Sequence, residues 1–129
     1  MATLYPLLQQ AHHLLGWVAL IVGLALGAVA LYVGVIRHSD ATPYFRRGVL
    51  AVFGLVLVQA ALGTLMYALG GRPFEEVHLI YGVGALLTIP FFMYVEMTAK
   101  KRPAMGSYIW AGFLLAGIAL RAIMTGAGG

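Results

Sequence analysis

Four long apolar stretches separated by short polar segments set the pattern of this chain. They run from about Pro6 to Ile36, Val49 to Leu69, Val77 to Val95 and Ser107 to Thr125. Each approaches or exceeds the ~20 residues with which a helix crosses ~30 Å of hydrocarbon. Ala11 to Val35 is the membrane portion of the first. None of the four alternates with the period of two that a transmembrane strand requires. The pattern predicts an all-α fold: a transmembrane up-down four-helix bundle forming one membrane domain over the whole chain. Connections this short force neighbouring helices to run antiparallel. Helices 1 and 3 are then expected on a diagonal, with their first turns at the same depth. Pro90 should kink the third helix, and the Gly-rich tail from Gly126 to Gly129 should fray. The length of the first stretch, its lack of a basic start and its two histidines argue against a cleaved signal peptide.

Composition narrows the class. Hydrophobic residues make up 62 % and charged residues 9 %, against ~45–50 % and ~25 % in an ordinary soluble domain. Too few polar groups exist to cover a water-facing surface, and the apolar content is too high for a disordered chain. Cysteine is absent, which removes disulfides, thiolate metal sites and cysteine nucleophiles. Six of the eight Lys and Arg residues fall in two segments, Arg37, Arg46 and Arg47 after helix 1 and Lys100, Lys101 and Arg102 after helix 3. Arg72 and Arg121 belong to the other side. The positive-inside rule makes the six-charge side cytoplasmic and puts both termini outside, as expected of a prokaryotic inner-membrane protein. The basic segments are explained by topology, so no nucleic-acid partner is expected. Membrane lipid is, together with other membrane subunits or a second copy of the chain.

Among the four histidines, His38 sits beside Arg37 and is expected to be solvated. His12 and His13 open helix 1, and His78 opens helix 3. An ionisable side chain within a membrane helix is a functional candidate by default, and the diagonal arrangement points these two helix starts at one another. The alternative role of each is to anchor a helix end at the interface. On helix 1, Gly16, Gly23, Gly27, Ala30 and Gly34 share a face at about 100° per residue. Gln9 and His12 project within about 45° of that face and His13 lies farther from it, so His12 is the better inward candidate. On helix 3, Gly82 and Ala85 follow His78 at i+4 and i+7, on the same stripe. Small residues of this kind serve either close helix packing or the approach of a flat cofactor.

Zinc and copper usually take three or four ligands, and adjacent His12 and His13 point about 100° apart. Haem iron takes two axial ligands, one on each side of the ring, which a diagonal histidine pair supplies. Without cysteine the haem would be non-covalent, haem b or a derivative such as haem O or haem A. Its propionates would seek the outer end, where Arg121 or Arg72 could pair them; Arg121 could equally snorkel to the interface. Glu75 and Glu76 precede His78 at a helix N-terminus, where negative charge is favourable. Gln59, in the middle of helix 2, either bonds across helices or faces the cofactor.

These elements resemble one half of the haem A synthase family. AHHLLG around His12 and His13, VQAALG with Gln59, Leu62 and Gly63, and EEVHLIYG around His78 follow that family's half-pattern over roughly residues 9–90. The 66 residues from His12 to His78 are close to its interval. The resemblance implies a four-helix haem-binding unit with His12 and His78 as axial ligands, and His13 as the other choice on helix 1. The chain departs from the family where a catalytic half carries glutamate three residues before its first histidine. Gln9 stands there, or Gln10 if His13 is the ligand, and a neutral amide cannot act as a carboxylate base. The family's arginine after the histidine is His13. An enzyme of half the family's length would have to pair with a second copy. The expected function is therefore a bis-histidine haem b electron-transfer subunit of a respiratory or photosynthetic complex, with an unidentified redox partner. A half-size haem A synthase-like enzyme and a cofactor-free structural subunit are the alternatives.

Overall fold

The computed structural model describes residues 4–39, 42–72, 76–98 and 104–126. Four α-helices are formed among the described residues: α1 (Leu4–Leu31), α2 (Pro43–Ala68), α3 (Val77–Thr98) and α4 (Ala104–Gly126). All four are long and apolar enough to span a membrane, as expected of an integral membrane protein. The last turns of α1 widen into a π-helical segment, Tyr32–Ile36, in which the Arg37 amide reaches back five residues to the Tyr32 carbonyl. Lys100, Lys101, Arg102, Glu75 and the tail beyond Gly126 lie outside the described residues.

The first basic segment differs from the sequence expectation. α2 begins at Pro43, six residues before the apolar run. Thr42 caps it, its hydroxyl accepting from the Phe45 amide at 3.1 Å, and proline suits the first helical position because its missing N–H has no intrahelical acceptor there. Arg46 and Arg47 are consequently helical rather than in a loop. Arg46 donates to Glu96 of α3 at 2.7 Å. Helix α3 runs through Pro90 without ending, and His38 sits in an exposed turn with a positive φ of 54°.

The helices close a ring in chain order. α1 packs on α2 and α4, α3 packs on the same two, and α1 and α3 do not touch through their backbones. The tightest pairing is α1 with α4. A Cβ on Gly23 would come within 3.1 Å of the Ala116 amide and the Gly112 carbonyl. The ring of Phe113 covers Gly27, where a Cβ would be 2.9 Å away, and a Cβ on Gly112 would strike the Gly27 backbone. Both helices thus carry small residues four apart and close to backbone contact, the pairing that drives helix association where lipid removes the hydrophobic incentive.

The solid core occupies the half of the bundle where α1 and α3 end and α2 and α4 begin. Leu26, Ala30, Val49, Val52, Val56, Ile89, Tyr108, Ala111 and Leu115 form one buried cluster. Tyr108 is 1 % exposed and meets Phe45 edge-on at 5.3 Å between ring centroids. Toward the other end, where α1 and α3 begin and α2 and α4 finish, the helices enclose a cavity.

Candidate functional site: a histidine-lined cavity

The cavity has a volume of about 580 Å³, within the ~300–1,000 Å³ of small-molecule and cofactor sites. Its floor, made by Ala19, Val56, Leu86, Leu115 and Ala119, is apolar. Its upper walls carry Gln9, His12, His13, Gln59, Tyr67, Arg72 and His78. The space is therefore graded, polar at the helix ends and apolar toward mid-membrane.

His12 and His78 meet across it from diagonal helices. Their ring centroids are 6.0 Å apart and their planes lie at 79°. His78 Nδ1 lies 2.7 Å from the Ala122 carbonyl oxygen in the last turn of α4. A carbonyl only accepts, so Nδ1 carries the proton and Nε2 keeps its lone pair. Buried Thr125 adds a hydroxyl 3.4 Å from the same nitrogen. On the other side, His12 Nδ1 is buried without a hydrogen-bond partner among the described residues. Gln59 Nε2 donates to the His12 main-chain carbonyl at 2.6 Å, and its Oε1 is buried and unpartnered.

Glycines divide into two groups. Gly23 and Gly27 serve the α1–α4 seam. Gly63 lies flat under the His12 ring, where a Cβ would be 3.0 Å from Cε1, and Gly126 lies under His78. Gly82 lines the cavity with nothing within 4 Å of where its Cβ would stand. The choice between packing and cofactor room, open in the sequence, resolves position by position.

Of the six candidate cofactor-binding residues, five line the cavity: His12, His13, His78, Gln59 and Arg72. His12, not His13, is the ring that faces His78. Arg72 lies over the Tyr67 ring, 3.8 Å from its centroid, and its Nη1 donates to the Tyr67 and Gly71 carbonyls at 2.9 and 2.7 Å, closing the C-terminus of α2. Arg121 is exposed, does not line the cavity and approaches Tyr81 of α3, 5.8 Å from the ring centroid. No group of three or more His, Asp or Glu is gathered for a metal ion among the described residues. Sequence reasoning missed Ala122, Thr125 and Gly126. A main-chain carbonyl has no sequence signature, and Thr125 reads as one more residue of an apolar run.

Comparison with protein-family models, with curated proteins and with solved structures returns no match.

Proposed function

We propose that this chain is a membrane electron carrier that binds one non-covalent haem b between His12 and His78. The observation that carries the reading is the 6.0 Å separation of the two imidazole centroids across the cavity. At that spacing His12 and His78 would both be within reach of one metal atom held between them, given a metal–imidazole bond of ~2.0–2.1 Å.

The surrounding residues fit the same group. Bare backbone at Gly82 leaves open wall. Apolar residues at the floor exclude water from the ring. Arg72 at the polar end suits the two carboxylates of a haem, a charge pairing that guanidinium makes well. Gln9, also on the cavity wall, offers a neutral amide and no base. Bound haem would supply reversible one-electron chemistry, and ligation on both sides favours electron transfer over oxygen chemistry. The chain's own part is to hold the two imidazoles, keep water out and neutralise the carboxylates. Redox partners would be other membrane subunits.

The optical spectrum of protein purified from haem-replete cells tests the reading. A low-spin, bis-imidazole ferrous-minus-ferric difference spectrum with one extractable haem b per chain is expected. Protein that is folded, haem-free and unable to take up added haem overturns it. The split of basic residues supports an orientation with both termini and the cavity mouth outside the cytoplasm. A thiol probe should reach Ser39→Cys only from the cytoplasmic side and Glu76→Cys only from the opposite side. The reverse labelling inverts the orientation.

A further inference from the structure

The two imidazoles facing the cavity are not held alike. His78 is fixed from behind. Its Nδ1–H donates to the Ala122 carbonyl at 2.7 Å, and carbonyls in the last turn of a helix carry partial negative charge that favours such a donor. Thr125, 1 % exposed, braces the same edge at 3.4 Å while its hydroxyl donates to the Arg121 carbonyl at 2.9 Å. The ring lies so close on Gly126 that a Cβ there would come 2.6 Å from Cε1. Tautomer and orientation are therefore both set, and Nε2 keeps its lone pair.

His12 has no equivalent brace. Its Nδ1 is buried and completes no hydrogen bond with a described residue; Gln59 approaches the ring through both its main chain and its side chain without closing one. Gln59, the polar side chain beside it, has committed its amide nitrogen to the main chain of His12, and its own Oε1 is left without a partner. A hydrogen bond behind a metal-binding imidazole orients it and raises its basicity, and loss of that partner costs ~10–100-fold in metal affinity.

We infer that the site is asymmetric by construction: His78 is the permanent ligand and His12 the exchangeable one. The cavity then has a second capacity on the α1 side, binding of a small neutral donor molecule such as carbon monoxide in place of the His12 ring. The inference rests on the haem reading above and adds a direction to it. Exchange breaks only the bond to His12 Nε2 and forms one to the incoming lone pair; no electrons change hands. Thr125 and the Ala122 carbonyl are positioning groups, since they act through His78.

The experiment uses the haem-loaded full chain in detergent, with carbon monoxide as the probe. Reduced wild-type protein should bind carbon monoxide and give the same adduct spectrum as reduced His12→Ala. His12→Ala should retain haem, high-spin, and recover a low-spin spectrum on addition of free imidazole. His78→Ala should bind haem ~10–100-fold more weakly than His12→Ala. Should His78→Ala fail to fold, Thr125→Val gives the same information: it should weaken haem retention while leaving the carbon monoxide adduct in place. A wild-type protein with a low-spin haem that ignores carbon monoxide overturns the asymmetry and leaves the haem reading standing. Equal haem loss in both alanine variants also overturns it. Failure of the wild-type protein to bind haem takes both readings down together.

Discussion

The half of the bundle that holds the packed core and the half that holds the cavity are built from the same kinds of residue and do opposite things. In the core half, glycine lets backbone meet backbone. Gly23, Gly27 and Gly112 bring α1 and α4 together, and Ala30, Ala111 and Leu115 are fully buried behind them. In the cavity half, glycine leaves space. Gly82 faces a cavity, and Gly63 and Gly126 serve as platforms for histidine rings. The difference is set by what stands opposite. α4 presents a small-residue stripe to α1, so the two close up. Opposite Gly82 the α1 and α2 faces present Gly16, His12 and Gln59, and the helices stay apart. A glycine stripe in a membrane helix is thus a permission for close approach, and the partner face decides what uses it.

Placing the same side chain in both halves would break that comparison most sharply. Gly112→Leu should prevent folding, because its Cβ alone would strike the Gly27 backbone. Overpacking typically costs about 1–3 kcal/mol, and more where backbone blocks relaxation. Little monodisperse protein should survive size-exclusion chromatography in detergent. Gly82→Leu should do the reverse. Its side chain enters open cavity space, and replacing glycine within a helix by leucine gains up to about 0.8 kcal/mol. Thermal stability of the haem-free protein should hold or rise while haem uptake is lost. Normal haem content in folded Gly82→Leu would show that the cavity is not the site.

A smaller effect sharpens the contrast at the core end. Glu96, whose side chain is 10 % exposed, pairs with Arg46, which is 43 % exposed, and ties α2 to α3 there. Removing one partner of a fully buried pair costs about 3–5 kcal/mol; the solvent reaching Arg46 reduces this to about 1–2 kcal/mol. Glu96→Gln should lower the melting temperature by several degrees with the haem spectrum unchanged. A changed spectrum would mean that the two halves communicate.

How far the site could be read from sequence varied with the kind of group. His12 and His78 were legible because ionisable residues are costly in apolar helices and therefore conspicuous. Helical projection also favoured His12 over His13, and the structure turns the His12 ring to His78. Arg121 was conspicuous for the same reason, yet it approaches Tyr81 outside the cavity lining, because charge type carries no information about azimuth. Arg46 was assigned to a loop by its polarity. Thr42 and Pro43 start α2 early enough to make it helical and bring it to Glu96. The brace on His78 was illegible, since the Ala122 carbonyl is the same chemical group at every position of the chain.

The sequence by itself determined the number of helices, their membrane length and their antiparallel order. These follow from hydrophobic run lengths and short connections, which are local properties. It also determined that two histidines open diagonal helices at matched depth. The tertiary structure decided which glycines pack and which leave room, because that depends on the facing helix. It likewise decided that the space lies at the histidine end, and that one imidazole is braced by α4 while the other is not. Those outcomes depend on rotation of each helix about its axis, and helical rotation is fixed only when all four faces are packed together.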